Sequence, residues 1–218
     1  MARPPHAVIT GANRGIGAAL DAGLRAAGWT VSGTARAGDG FLPLDVRDPE
    51  SVGALAARLD SVPVDLLVCN AGIYPDKGES LADGYPAEMW AETFAVNVTG
   101  VFLTAQALLP NLQISDAPRI AVISSQMGSS TRAPGGSYIY RASKAAAVNL
   151  GRNLATDLAP LGIAVGIYHP GRVRTDMGGA RAEIGVEDAA RGLIESFGEL
   201  SVATTGRFLT WDGREHPF

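Results

Sequence analysis

The chain has 218 residues, of which 46% are hydrophobic and 18% charged, and its formal net charge is −4. A chain of this length buries about 70% of its surface on folding, so we expect one globular domain over residues 1–218 and exclude repeat arrays, collagen-like chains and disordered chains. The 18 Lys and Arg residues are dispersed along the sequence, which predicts no nucleic-acid partner and no anionic membrane surface.

Short apolar runs of strand type alternate with longer runs of helical period along the whole chain. This pattern is typical of a parallel sheet covered by helices on both faces, so we predict the α/β class with a Rossmann-type doubly wound sheet. The predicted strands are Ala7–Thr10, Trp29–Ala35, Phe41–Leu44, Asp65–Cys69, Arg119–Ser124, Ile163–Tyr168 and Arg207–Trp211.

Local signals mark the helices between these strands. Gly28 ends a helix whose apolar residues repeat from Ile16, and Asp48-Pro49 supplies an N-cap with proline at the first helical position. Two longer helices are predicted over residues 86–109 and 137–158. The expected product is a sheet of about seven strands in the order 3-2-1-4-5-6-7.

Two connections are shorter than this pattern requires. Only the five residues Ala37–Phe41 separate Arg36 from Leu42, too few for a crossover helix, so one helix should be missing from one face. Ten residues separate Thr175 from the helix that begins near Val186. We expect little cover over that edge and therefore an open substrate site.

The first predicted strand is followed by a glycine-rich turn, TGANRGIG at residues 10–17. Glycines between a strand and a helix allow a tight turn and the close approach of a pyrophosphate, which then lies at the positive end of the helix dipole. Glycines that only form a turn are the alternative interpretation of this segment.

Tyr140 and Lys144 are four residues apart, so they share one face of a predicted helix. A nearby ammonium favours phenolate and would lower the tyrosine pKa toward the range of a general acid or base. The alternative is an amphipathic helix with a core tyrosine and a solvated lysine. Tyr138 is six residues from Lys144 and points away from it, whereas Ser124-Ser125 ends the fifth predicted strand, where side chains face the ligand crevice.

The end of the second predicted strand indicates which nicotinamide cofactor is bound. An acidic residue there would bind the ribose hydroxyls of NAD, whereas arginine favours the 2′-phosphate of NADP. The sequence has Arg36 at this place and Arg14 in the glycine turn, so we predict NADP(H). Asp39 and the interpretation of both arginines as solvated surface residues keep NAD open as an alternative.

The remaining chemistry-bearing residues predict neither a disulfide nor a metal site. Cys69 is the only cysteine, and the three histidines are scattered. The first ten residues lack a secretory pattern, and no apolar run reaches the ~20 residues of a membrane span. These features predict a soluble, cytoplasmic protein.

Together these residues resemble the short-chain dehydrogenase/reductase family, and the likeness runs across nearly the whole chain. It comprises TGANRGIG at 10–17, Asp45-Val46, Asn70-Ala71-Gly72, Asn97, Ser125, the Tyr140 and Lys144 pair, and Pro170-Gly171 followed by Thr175. Within the family, YIYRASK at 138–144, HPGRVRTDMGG at 169–179 and GRFLTWDGRE at 206–215 are most similar to the C-factor and sniffer-type carbonyl reductases.

The resemblance implies a role for each of four residues. Tyr140 would exchange a proton with the substrate oxygen, and Lys144 would lower the pKa of Tyr140 and hold the nicotinamide ribose. Ser125 would hydrogen-bond the carbonyl, and Asn97 would seat a water that relays protons from Lys144. Ser125 is preferred to Ser124 because Gly128 follows it at a spacing common in the family. The implied cofactor-binding residues are Gly11, Asn13, Arg14, Gly15, Ile16, Gly17, Arg36, Asp45, Val46, Asn70, Ala71, Gly72, Tyr140, Lys144, Pro170, Gly171, Val173 and Thr175.

We therefore expect an NADP(H)-dependent oxidoreductase that transfers a hydride between nicotinamide and a carbonyl or secondary alcohol. A non-catalytic nucleotide-binding sensor and a C-factor-like signalling protein are the alternatives. The expected substrate is a small molecule, bordered by Gln126, Met127, Ile73, Tyr74 and Met177. The small residues of the Tyr140 helix, together with the helix of Asn97, predict a homodimer, with a tetramer as the alternative.

Overall fold

The computed structural model describes residues 3–175, 177, 179 and 182–218. The strands are β1 His6–Ile9, β2 Thr30–Ala35, β3 Leu42–Pro43, β4 Leu66–Cys69, β5 Arg119–Ile123, β6 Ala164–His169 and β7 Phe208–Thr210. They form one parallel sheet in the order β3-β2-β1-β4-β5-β6-β7. This confirms the predicted fold class and strand order, with strand ends that differ by at most one residue.

The α-helices of the described residues are α1 Gly15–Ala26, α2 Pro49–Arg58, α3 Ala87–Phe94, α4 Gly100–Ala107, α5 Leu109–Gln113, α6 Tyr138–Leu158 and α7 Val186–Glu199. The single helix predicted over residues 86–109 is interrupted. A π-helical turn, Ala95–Thr99, separates α3 from α4. Such turns insert an extra residue into the helical ladder and frequently mark functional sites.

Alternating strand residues build two hydrophobic layers on opposite faces of the sheet. Val8 of β1 and Leu67 of β4 pack with α2, α4 and α6, whereas Ala7 and Ile9 of β1 and Leu66 of β4 pack with α1 and α7. Both faces of the central strands are therefore buried. This explains why β4 reads Leu-Leu-Val-Cys, an unbroken apolar run.

The connection from β2 to β3 contains no helix, as its length predicted. Residues 36–41 form bends and turns, and Gly38 and Gly40 take positive φ angles of 121° and 83°. The neighbouring strand β3 has only two residues. The edge of the sheet beside β2 is consequently thinly covered.

None of the helices in the described residues is both long and apolar enough to span a membrane. No group of three or more His, Cys, Asp or Glu side chains in that part of the chain is arranged to hold a metal ion. Cys69 is buried, which raises the pKa of its thiol to about 12.

Candidate active site

The glycine turn lies where β1 ends and α1 begins. Gly11 and Gly15 have φ angles of +69° and +54°, which L side chains rarely adopt. A side chain on Gly17 would overlap the carbonyl oxygen of Gly11. The side chain of the N-cap residue Arg14 does not cap the first turn of α1, and that turn contains no acidic residue. The backbone N–H groups there face an anion-binding position.

Thr10 and Asn70 tie the ends of β1 and β4 together beneath this turn. The Thr10 hydroxyl accepts hydrogen bonds from the backbone N–H groups of Asn70 and Ala71, both 3.0 Å long. In return, the Asn70 amide donates to the carbonyl oxygens of Thr10 and Gly11 at 3.0 Å. Asn70, predicted to bind cofactor, therefore fixes the shape of the glycine turn through its side chain.

The two serines after β5 face different partners. The Ser124 hydroxyl donates to the backbone oxygen of Lys144 at 2.9 Å and is buried against α6. The Ser125 hydroxyl accepts from the N–H of Met127 at 3.1 Å and lies near enough to the Tyr140 hydroxyl to favour its phenolate form, which acts to lower the pKa of Tyr140. Ser125 is thus the serine that lies at the Tyr140 hydroxyl, as the sequence comparison within the family implied.

Gly128 permits this arrangement because it lies against α6. A Cβ atom on Gly128 would stand 2.6 Å from the backbone carbon and oxygen of Lys144. The 3-10 turn Gln126–Gly128 therefore packs directly on the helix that carries Tyr140. Gln126 and Met127 of this turn, both predicted to border the substrate, are half-buried beside Ser125.

Tyr140 is enclosed on several sides and only 6% exposed. Its ring is stacked on that of Tyr74, with centroids 4.0 Å apart, and its hydroxyl lies 3.8 Å from the sulfur of Met177. Burial raises the pKa of Tyr140 above its ordinary value, and Tyr74 and Asp76 raise it further, whereas Ser125 acts in the opposite direction. The protein's own groups therefore do not produce the lowered tyrosine pKa that the sequence suggested.

Lys144 is buried one turn along α6 from Tyr140. Its ammonium donates to the backbone oxygen of Ile123 at 2.9 Å and lies 5.7 Å from the centroid of the Tyr140 ring. Burial lowers the pKa of Lys144 to about 8. The interpretation of Lys144 as a solvated lysine is wrong, since only 4% of the residue is exposed.

Asn97 sits in the π-helical turn and is directed at the segment after β4. Its amide oxygen accepts from the N–H of Ile73, and its amide nitrogen donates to the oxygen of Ile73, both at 2.9 Å. The same nitrogen donates to Ser143 of α6 at 3.0 Å. A Cβ on Gly72 would stand 3.3 Å from this amide oxygen and 3.4 Å from the Lys144 ammonium. Gly72 therefore leaves Asn97 and Lys144 close together.

Residues 73–77 form a segment that contacts most of these groups, and we call it the β4–α3 segment. Sequence reasoning placed Ile73 and Tyr74 at the substrate but missed Asp76. Asp76 is fully buried, and its carboxylate accepts hydrogen bonds from the backbone N–H groups of Ile139 and Tyr140. The sequence offered no signal for this contact, because 63 positions separate Asp76 from Ile139.

The residues predicted to bind the adenosine half of the cofactor follow β2 and lie in the glycine turn. Arg36 is exposed just after the last residue of β2, and Asn13 and Arg14 are exposed in the glycine turn. Asp45 is held by Arg47 at 2.6 Å. This pairing with Arg47, helped by the charge of Arg36, lowers the pKa of Asp45 to about 2. Val46 is buried beside Asp45, and its side chain lies against Gly100.

The segment after β6 approaches the glycine turn. Pro170 is buried, Val173 pairs with Ile184, and Thr175 lies 3.5 Å from the position that a Cβ on Gly15 would take. Residues 176, 178, 180 and 181 fall outside the described residues, so the expectation of an open site stays a prediction. Met177, which is 38% exposed, places its sulfur 3.8 Å from the Tyr140 hydroxyl.

The chain is similar to known proteins in sequence and in structure. The profile of the family described as short chain dehydrogenase matches residues 5–184. The chain is 38% identical over 166 residues to C-signal of Myxococcus xanthus. The aligned region covers 76% of this chain and 99% of C-signal.

Solved structures show the same likeness. NADPH-bound carbonyl reductase from chicken fatty liver is similar with a TM-score of 0.89 and 29% identity, covering 100% of both chains. Carbonyl reductase Sniffer of D. melanogaster is similar with a TM-score of 0.91 and 25% identity, covering 99% of this chain and 100% of that one. The chain therefore belongs to the short-chain dehydrogenase/reductase family of oxidoreductases.

Proposed function

We propose that the protein is an NADP(H)-dependent reductase of small carbonyl compounds, with Tyr140 as the general acid and base. The observation that carries this proposal is the convergence of Ser125, Tyr140 and Lys144 at the carboxyl edge of β5. Ser125 acts to lower the pKa of the Tyr140 hydroxyl, and the Lys144 ammonium lies 5.7 Å from the centroid of the Tyr140 ring. We propose one domain over residues 1–218, in which nucleotide binding and catalysis share this edge.

The residues present fit a nicotinamide dinucleotide. The backbone at Gly11 and Gly15 is open where a pyrophosphate would approach, and the uncapped first turn of α1 supplies N–H donors for it. Arg36 and Arg14 would bind the 2′-phosphate, and Lys144 would bind the nicotinamide ribose. The bound cofactor would supply the hydride, which no side chain can provide. The NADPH-bound relative supports the choice of the phosphorylated form.

The chain's own residues would handle the proton and the substrate oxygen. The Tyr140 hydroxyl would donate its proton to the oxygen of the carbonyl, while the Ser125 hydroxyl donates a second hydrogen bond to the same atom. Because burial raises the pKa of Tyr140, this hydroxyl is protonated at neutral pH and suited to act as the acid in carbonyl reduction. Lys144 and Asn97 would hold the surrounding polar network in place.

The substrate would enter past Met177 and lie against Tyr74, Ile73, Gln126 and Met127. The Tyr74 ring and the Met177 side chain make this surface largely apolar. We therefore propose small apolar or aromatic carbonyl compounds as substrates. The exposed Arg132 is hydrogen-bonded to Gln126 at 3.0 Å, which keeps its charge at the rim of the site.

The proposal is tested by following NADPH oxidation by the purified protein with a panel of aldehydes, ketones and quinones. We expect turnover, and we expect Tyr140→Phe to lose roughly 10²- to 10⁴-fold in kcat, because general acid catalysis is removed. Binding of NADPH, measured by fluorescence titration, should remain. Tyr138→Phe is the matched control, since Tyr138 is the exposed tyrosine of the same helix. A Tyr140→Phe variant that keeps the wild-type kcat would contradict the proposal.

The similarity to C-signal supports a second candidate, a signalling role that depends on nucleotide binding rather than on turnover. In that case Tyr140→Phe would retain the biological activity, whereas a side chain introduced at Gly17 would abolish it, because it would overlap the carbonyl oxygen of Gly11 and displace the glycine turn. A signalling assay that compares these two variants separates the two functions.

A further inference from the structure

The N-terminus of α6 is held by a residue from a distant part of the chain. Asp76 Oδ2 accepts from the N–H of Ile139 at 2.8 Å, and both carboxylate oxygens accept from the N–H of Tyr140 at 3.2 Å. These are the second and third residues of the helix, whose N–H groups have no partner inside it. Asp76 is itself 0% exposed. A buried carboxylate thus caps the helix at the residue that carries the reactive hydroxyl.

The local cap residue does not provide this contact. Ser137 precedes the helix in a left-handed conformation, with φ 48° and ψ 47°, and its side chain makes no capping bond. Its hydroxyl is instead hydrogen-bonded to the hydroxyl of Tyr74 at 2.6 Å. Asp76 therefore caps α6 in place of the serine at the N-cap position, the residue type that ordinarily does so.

The β4–α3 segment that carries Asp76 is fixed at several points. Asn97 makes two hydrogen bonds to the backbone of Ile73, and Tyr74 stacks on Tyr140. Lys77 donates to the backbone oxygen of Met177 at 3.2 Å. A change at Asp76 would therefore act on the position of Tyr140 relative to the groups around its hydroxyl.

We propose that Asp76 is a positioning residue, which fixes Tyr140 against Ser125 and places a negative charge beside the site where the tyrosinate forms. This inference depends on the proposed role of Tyr140 as acid and base. Asp76 touches neither substrate nor cofactor in this arrangement. Its contribution to the reaction passes through the backbone and the electrostatic environment of Tyr140.

The charge of Asp76 has a defined direction of effect. The titratable and charged groups of the described residues that face Tyr140 are Tyr74 and Asp76 from the β4–α3 segment and Lys144 from α6. Asp76 raises the pKa of Tyr140, because a nearby negative charge disfavours the phenolate. Removing that charge while keeping an oxygen acceptor should lower the pKa of Tyr140.

The experiment compares Asp76→Asn and Asp76→Ala with the wild type. Asp76→Asn keeps an acceptor for the helix N–H groups but removes the charge. We expect the rising limb of its pH profile for alcohol oxidation, which requires the tyrosinate, to move to lower pH by about half a unit or more. Asp76→Ala loses the cap as well, so its kcat should fall roughly tenfold to a hundredfold through misplacement of Tyr140. The affinity for NADPH should remain near the wild-type value in both.

The matched control is Asp83→Asn, which removes an exposed carboxylate nearby in the chain and should change neither kcat nor the pH profile. A purely structural cap would lower the melting temperature of Asp76→Ala but leave the pH profile of a folded Asp76→Asn unmoved. If Asp76→Ala fails to fold, the pH profile of alcohol oxidation by Asp76→Asn still tests the proposed role of Asp76. A loss of kcat alone lowers the whole profile and does not move its rising limb to lower pH, so it is distinguishable from the expected shift.

Tyr140→Phe, measured beside these variants, separates the two hypotheses. If Tyr140→Phe retains activity, the proposed function fails. If Tyr140→Phe is inactive while a folded Asp76→Asn keeps the wild-type pH profile, the role of Asp76 alone is overturned.

Discussion

The ring of Tyr74 lies parallel to that of Tyr140, with centroids 4.0 Å apart and planes inclined by 18°. Offset stacking of this kind contributes about 0.5–1.5 kcal/mol beyond the burial of area. More importantly, the Tyr74 ring keeps water from one face of Tyr140. Because burial is the largest cause of the raised pKa of Tyr140, Tyr74 controls how readily the tyrosinate forms.

Substitution of Tyr74 should therefore change the pH dependence of catalysis. In Tyr74→Ala, water reaches the Tyr140 ring, the pKa of Tyr140 falls, and the rising limb of alcohol oxidation moves to lower pH. Tyr74→Phe keeps the stacked ring and loses only the hydrogen bond to Ser137, so its profile should stay closer to that of the wild type. Steady-state rates measured across pH for both variants check this. Equal shifts in the two variants would show that the hydroxyl, rather than the ring, is responsible.

Lys144 should reduce the stability of the folded protein at neutral pH. Its pKa is lowered to about 8 by burial, so the unfolded chain binds more protons than the folded chain between about pH 8 and pH 10.5, and stability rises with pH across that window. Lys144→Met should therefore be more stable than the wild type at pH 7 by about 1–3 kcal/mol, while losing activity.

Denaturant unfolding at pH 7 and at the highest pH that the fold tolerates measures this difference. The advantage of Lys144→Met should shrink as pH rises toward the pKa of an exposed lysine, because the wild-type side chain is then neutral in both states. A variant that is destabilised equally at both pH values would show that the hydrogen bond to Ile123 matters more than the buried charge.

The fold could be predicted from the sequence because its signals are local. An unbroken apolar run such as Leu66–Cys69 indicates a strand buried on both faces, and the five residues Ala37–Phe41 were too few for a helix. The convergence of Ser125, Tyr140 and Lys144 was also accessible, since parallel strands bring their carboxyl ends to one edge of the sheet.

What the sequence could not provide depends on contacts between distant segments. The cap from Asp76 joins residues 63 positions apart, and the π-helical turn at Asn97 interrupts a pattern that reads as one continuous helix. The direction of the Tyr140 pKa shift was also missed. The four-residue spacing to Lys144 suggested a favourable charge, but burial of the hydroxyl is the largest cause and raises the pKa of Tyr140.

Arg36 should determine the choice between the two nicotinamide cofactors. It is exposed immediately after β2, where it would meet the 2′-phosphate that distinguishes NADP from NAD. Hydrogen bonds to charged groups contribute about 1.5–3 kcal/mol, so Arg36→Ala should weaken NADPH binding roughly tenfold to a hundredfold and leave NADH binding unchanged. Arg58→Ala, which removes an exposed arginine from α2, is the control. Fluorescence titration that finds equal losses for both cofactors would contradict this assignment.

The predicted homodimer would use the outer sides of α4 and α6. Ala147 of the predicted small-residue surface is fully buried in its own chain, and Leu150 and Leu154 pack partly against the same core. Ala145 and Ala146 remain half-buried, and Phe102 of α4 is 40% exposed. We expect these three residues to lie in the contact with a second subunit.

A charge at the centre of such a symmetric contact would occur twice and face its own copy. We therefore expect Ala146→Arg to convert a dimer into a monomer, because two buried arginines without partners would cost several kcal/mol. Ala54→Arg adds the same charge to an exposed position of α2 and should leave the mass unchanged. Light scattering at micromolar concentration measures both variants beside the wild type. A wild-type chain that is monomeric under those conditions, or an Ala146→Arg variant that keeps the dimer mass, would place the contact elsewhere.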